Sequence, residues 1–127
     1  MAVEYSFGPR LIHLSFHGET SVSTLERVLD EALDDPACPP LPEIVVDIRH
    51  STSVGERSSD ELRSGARLFA ARQDRLGRRS AVIAEPGFQF GLMRMTGSYA
   101  EGSGRQVGVF SSEGEALAWL LGGEDEG

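Results

Sequence analysis

The sequence contains no lysine: its 12 basic residues are all arginine, set against 20 Asp and Glu for a formal net charge of −8. Without a lysine amine it can be neither a Schiff-base enzyme nor a P-loop NTPase. The negative surplus argues against general nucleic-acid binding, whose affinity comes mainly from neutralising phosphates. Cys38 is the only cysteine, which excludes an internal disulfide and a cysteine-based metal cluster. No apolar run approaches the about 18–20 residues of a membrane span. The first residues, Met1 to Tyr5, carry neither a basic nor an apolar signal-type stretch. There is no Gly-x-Gly-x-x-Gly dinucleotide loop. A cytoplasmic protein with no membrane span, no cofactor and no metal site is the expectation.

What is present is ordinary globular composition. Hydrophobic residues make up 39% and charged residues 25% of 127 positions, enough for one domain with a real core. That domain is expected over 1–121, followed by an acidic, glycine-rich disordered tail over 122–127.

The hydropathy pattern alternates between two periods. Val3 to Phe7 and Leu11 to His17 read as strands, and Gly8-Pro9 between them reads as a hairpin turn. In the second, Ile12, Leu14 and Phe16 alternate with His13, Ser15 and His17, one buried face against one polar face. Ser21 to Asp35 reads as a helix with a Ser23/Glu26 capping box and a stripe of Leu25, Val28, Leu29, Ala32 and Leu33. Pro36 and the Pro39–Pro42 run end it. Glu43 to Arg49 is a β-branched central strand, and a polar loop is expected from His50 to Arg57. Ser58 and Glu61 then cap a helix running to about Gln73 or Arg75. Ser80 to Glu85 is a strand, about Phe88 to Glu101 a helix, Gln106 to Phe110 a strand, and Ser112/Glu115 cap a last helix ending near Leu121. The order β-β-α-β-α-β-α-β-α implies an α/β fold: a mixed, mostly parallel sheet of four to five strands with four helices.

The closing segment, Phe110-Ser-Ser-Glu-Gly-Glu-Ala116-Leu-Ala-Trp119-Leu120, resembles the end of the SpoIIAA-like family, which is related to STAS domains. The strand from Leu11 to Gly18, Asp35-Pro36 at the first helix end, Val45-Val-Asp47-Ile-Arg49 and Phe90-Gly-Leu-Met-Arg-Met95 follow in the same order, so the resemblance spans almost the whole chain. It implies an α/β fold, a cytoplasmic bacterial protein and, often, no assigned activity. STAS relatives include antagonists of anti-sigma factors. Others bind nucleotides or small apolar ligands, and the fold is similar to lipid-transfer CRAL-TRIO domains. In STAS antagonists an Asp-Ser-Ser-Gly stretch carries a regulatory phosphoserine. The nearest match here is Arg57-Ser58-Ser59-Asp60, which makes Ser58 and Ser59 candidate phosphorylation sites.

Three further groups invite a functional reading. In open α/β sheets ligands sit beyond the carboxyl ends of the strands, which places Asp47, Arg49, His50 and Ser51 on the edge of interest. On the helix expected over 88–101, Phe88, Leu92, Met95 and Tyr99 share one face, and Phe90, Met93 and Gly97 lie opposite and are not polar. That second face would be a homodimer contact or a wall of an apolar ligand site. Finally, six of the 12 arginines fall between Arg63 and Arg79. Asp30, Glu31, Asp34 and Asp35 gather at a helix C-terminus, where anions are unfavourable and a basic partner would be welcome. His13 and His17, about 13 Å apart on one strand, are too distant to share a metal.

The leading expectation is a non-catalytic SpoIIAA-like binding domain for a protein partner or small apolar ligand, homodimeric through the helix over 88–101. The alternatives are an anti-sigma-factor antagonist switched by serine phosphorylation, and a small hydrolase built on Asp47, His50 and a loop serine.

Overall fold

Two strands joined by a two-residue turn open the chain. β1 (Ala2–Gly8) and β2 (Leu11–Gly18) pair antiparallel with Gly8 opposite Leu11. Pro9 presets one central dihedral of the turn. Arg10 takes the other at φ 64°, a left-handed conformation that favours glycine. A hydrogen bond from Glu43 N to the Arg10 carbonyl, 2.9 Å, holds it there. The computed structural model describes residues 2–52, 59–87, 91, 93 and 106–122. The remaining elements are α1 (Val22–Asp34), β3 (Glu43–Ser51), α2 (Ser59–Ala71), a 3₁₀ turn (Gln73–Arg75), β4 (Arg79–Ile83), β5 (Gln106–Phe110) and α3 (Glu113–Gly122).

The five strands lie in one sheet in sequence order. β1–β2 is antiparallel, and β2–β3, β3–β4 and β4–β5 are parallel. Because side chains alternate across the pleat, β2 to β5 each serve two cores, and β1 serves one. On one face Ile12, Leu14 and Phe16 of β2 and Ile44, Val46 and Ile48 of β3 pack under the α1 stripe of Leu25, Val28, Leu29, Ala32 and Leu33, with Leu68 and Phe69 of α2 alongside. On the other face Leu11, Val45, Ala81 and Ile83 pack against Ala116 and Leu120 of α3. There β5 carries Gly108, where a Cβ would come 2.8 Å from the Phe110 ring. Glycine at this point lets the Phe110 and Trp119 rings, 5.5 Å apart, lie over the strand.

Several expectations are corrected. The α1 cap is Ser21, not Ser23: its backbone is extended and its Oγ accepts from Thr24 N at 3.2 Å. For α3 the expected cap stands, with Ser112 Oγ accepting from Glu115 N at 3.3 Å. β3 continues through His50 and Ser51 rather than ending at Arg49, because β2 continues beside it to Gly18.

Three α-helices lie among the described residues rather than four. Of the helix expected over 88–101 only Gly91 and Met93 are described, and both are helical. Met93, expected on a face left for a partner, is 8% exposed and packs into the α1-side core of its own chain. Of the expected 122–127 tail only Gly122 is described, as the last residue of α3.

The acidic end of α1 is also satisfied from within the chain. Arg72 places Nε 2.7 Å from Asp30 Oδ1 and Nη2 3.0 Å from Asp30 Oδ2 and 3.1 Å from Glu26 Oε2. Arg75 reaches Asp34 Oδ1 at 3.0 Å and the Leu33 carbonyl at 3.1 Å. α1 has no basic residue in its own last turn, so these arginines, supplied after α2, put the cation where the helix dipole favours it. The basic partner that the acidic cluster suggests is the arginine cluster of the same molecule.

Candidate functional site: a polar strip beside α3

On the α3 side of the sheet the helix covers β4, β5 and part of β3. The neighbouring strip of β2 and β3 carries polar side chains instead. Leu11 faces α3, so the pleat sends His13, Ser15 and His17 to the same side.

His13 is the inner end of this strip. Its Nδ1 lies 3.3 Å from Ser15 Oγ. Its Nε2 is buried without a hydrogen-bond partner, and the carboxylate facing it, Glu113 Oε2 on the first turn of α3, is 3.9 Å away. That span is too long for a direct hydrogen bond.

Asp47 sits at the middle, level with Ser15, and is only 7% exposed. Its carboxylate is fully engaged by Arg49: Nε donates to Oδ1 at 3.0 Å, Nη2 to Oδ2 at 2.8 Å, and the Arg49 backbone N to Oδ1 at 3.1 Å. Burial works against the charge on Asp47, but these hydrogen bonds outweigh it and hold the carboxyl below its ordinary pKa. Such a closed, forked pair is among the stronger polar contacts a protein makes.

The outer end is a pair of stacked imidazoles, His17 and His50, with centroids 5.8 Å apart and planes 4° from parallel. His17 Nε2 also lies 3.7 Å from Glu4 Oε1. A register shift makes this pair. Ser15 lies opposite Asp47 but His17 lies opposite His50, so Phe16 alone faces both Ile48 and Arg49. The extra residue turns His50 to the face of His17, as a β-bulge re-aims the side chains after it.

Between the hairpin and α3, at the His13 end, is a pocket of about 260 Å³ whose walls include Pro9, Leu11, Leu117 and Leu121, with His13 and Glu113 at its polar side. A second hollow of about 320 Å³ opens at the same end of the strands, beside Arg10, Leu41, Glu43 and Arg79. Its Arg79 lies over the Trp119 ring at 5.2 Å and donates to the Trp119 carbonyl at 2.7 Å.

The structure therefore joins two of the four residues expected at the strand edge and gives a third a partner from β2. Asp47 and Arg49 pair with one another, His50 stacks on His17, and Ser51 is the half-buried last residue of β3. His13, His17 and Glu113 complete the strip and were not legible as partners of that edge, since nothing in local spacing records which strand lies beside β3. Ser59 opens α2. Ser58, Phe90 and Gly97 lie outside the described residues. Among the described residues no group of three or more His, Cys, Asp or Glu side chains is placed to hold a metal, and no helix is long and apolar enough to cross a membrane.

No family model matches the sequence, and no curated protein does. Among solved structures the chain is similar to an uncharacterised protein of the DUF3478 family with a SpoIIAA-like fold from Shewanella loihica PV-4. The TM-score is 0.62 at 16% sequence identity, and the match covers 94% of this chain and 93% of that one. The fold is thus SpoIIAA-like, as the order of motifs implies.

Proposed function

We propose that this chain is a non-catalytic SpoIIAA-like binding domain that holds a small, largely apolar molecule between its hairpin and α3. The pocket walled by Leu11, Leu117 and Leu121, with His13 and Glu113 at its polar side, carries this reading. Ligand sites are commonly concave and apolar with a few convergent polar groups, and this pocket has that composition. The non-catalytic part is supported by Asp47. A serine hydrolase needs a carboxylate to orient its histidine, and both Asp47 oxygens are taken by Arg49 while His50 lies against His17.

Backbone amide shifts under a library of small apolar fragments test the proposal. Binding should perturb the amides around Pro9, His13 and Leu117 together. Shifts confined to the hollow beside Leu41 and Arg79, or no shifts at all, would count against it.

A further inference from the structure

The second hollow, at the entry to β2, β3 and β4, gathers several unusual features. Arg10 and Leu41, both on its wall, are the two non-glycine residues at positive φ among the described residues, at 64° and 44°. That backbone is costly for a residue with a Cβ, and such strain clusters at ligand sites. Leu41 is also the one large hydrophobic residue left exposed among the described residues, at 62%. The Arg10 guanidinium has no hydrogen-bond or ion-pair partner among them. The walls themselves are tied in place. Glu43 N donates to the Arg10 carbonyl at 2.9 Å, and Gly77 N donates to the Pro42 carbonyl at 2.8 Å. Arg79 is fixed by its contacts with the Trp119 ring and carbonyl.

The charges on the wall select the ligand. Arg10 and Arg79 are positive and Glu43 is negative. Glu43 Oε1 accepts from Arg79 N at 2.9 Å, and it lies so close to Gly77 that a Cβ there would have no room. Its carboxylate is thus turned to the segment that enters β4. The hollow keeps an excess of one positive charge, in a chain whose net charge is −8. A monoanion neutralises that excess. A dianion would leave negative charge uncompensated beside Glu43, and a cation would meet two like charges. A planar carboxylate matches the fork of a guanidinium with two parallel hydrogen bonds. Arg10 can supply the fork, and Arg79 adds a fixed positive charge. Leu41 and Leu120 offer apolar surface to a short chain.

We infer that this hollow binds a short aliphatic monocarboxylate, its carboxylate on Arg10 beside Arg79 and its chain against Leu41 and Leu120. It is a second site, sharing no wall residue with the pocket between the hairpin and α3, so it stands or falls apart from the function proposed above.

The test titrates hexanoate, hexanol, hexylammonium and inorganic phosphate into the protein, followed by backbone amide shifts and by the Nε–H resonance of Arg10. Hexanoate should move the amides of Leu41, Glu43 and Arg79 together with the Arg10 Nε–H. It should bind there about tenfold more tightly than hexanol, the margin of one charge-assisted hydrogen bond. Arg10→Gly should weaken hexanoate by about the same factor. Glycine is the residue that a φ of 64° favours, so this variant removes the guanidinium and keeps the turn. Leu41→Gly, also at a positive φ, should weaken hexanoate and leave acetate unchanged.

If phosphate binds more tightly than hexanoate, the site takes a dianion and the carboxylate assignment is overturned. If hexanol or hexylammonium matches hexanoate, or Arg10→Gly binds hexanoate unchanged, the arginines do not recognise the ligand and the inference is overturned. If Leu41→Gly weakens acetate as much as hexanoate, the aliphatic part of the assignment falls. If hexanoate moves only the amides around His13 and Leu117, or none, there is no second site, and the function proposed above is still decided by its own fragment library.

Discussion

The two faces of the sheet are finished in opposite ways. On the α1 side α1 and α2 lie over the strands, the core runs from Val3 to Met93, and even the charged margin is closed by Arg72 and Arg75 reaching back to α1. On the α3 side one short helix packs on a smaller core of six buried residues, and the β2–β3 strip beside it is polar, with a pocket at one end and a stacked histidine pair at the other. A sheet face fully covered by helices contributes stability; a face half covered leaves backbone-anchored polar side chains accessible. Folding free energy therefore belongs mainly to the first face, and the binding proposed above belongs to the second.

The largest effect expected is on the first face. Leu29 is fully buried at the centre of the α1 stripe, so Leu29→Ala should lower unfolding free energy by about 2–5 kcal/mol, measured by chemical denaturation. A loss well under that range would mean that the α1 side is not the main core.

Next comes Asp47→Asn on the second face, expected to cost about 1–3 kcal/mol, because Arg49 loses its charged acceptor in a mostly buried place. Its pH dependence has a definite sign. The Asp47 carboxyl is held below its ordinary pKa, so its contribution is present above the unfolded-state value of about 3.9 and is lost as pH falls through the folded value. The Asn variant should lack that acid-limb loss. An identical acid limb would show that the ion pair is not formed in solution.

Arg72→Met should cost about 1 kcal/mol or less, since its partners Asp30 and Glu26 are 44% and 51% exposed and water screens them. The hydrogen bond from Arg72 lowers the Asp30 pKa against a smaller opposing effect of burial. This contribution too disappears on acidification in the native protein and is missing from the variant. A variant that instead changes oligomeric state would revive a role for the acidic end of α1 between molecules.

The smallest effect is spectroscopic. Tyr5 donates its hydroxyl to Asp35 Oδ2 at 2.7 Å, which raises the phenol pKa above its ordinary 10. The interaction therefore stabilises the fold below the unfolded phenol pKa and is lost as pH rises through the folded one. Ultraviolet titration should show one late-ionising tyrosine, absent in Tyr5→Phe. Two phenols titrating together at the ordinary value would mean that the hairpin is not tied to the end of α1.

Much of the first face was legible residue by residue. The stripe at Leu25, Val28, Leu29, Ala32 and Leu33 is a 3.6-residue periodicity that tertiary packing only had to use. Ile12, Leu14 and Phe16 likewise announce one buried strand face. Less was legible at the margins. Ser21 and Ser23 are equally good caps by composition, and only the folded backbone, extended at Ser21, shows which one caps the helix. His50 and Ser51 read as loop because they are polar, but β2 offered them a partner. Met93 read as uncovered because helical spacing says which residues share a face and not what packs against that face.

The alternation of periods along the chain was enough to determine a mixed α/β fold, because strands and helices bury their apolar residues at different repeats and each repeat is local. Which polar residues meet was decided only by the folded sheet. Arg72 lies 42 positions from Asp30, and His17 faces His50 only because one residue is added to β3 opposite Phe16. Contacts of that kind depend on strand order and register, and those follow from the packing of the whole chain.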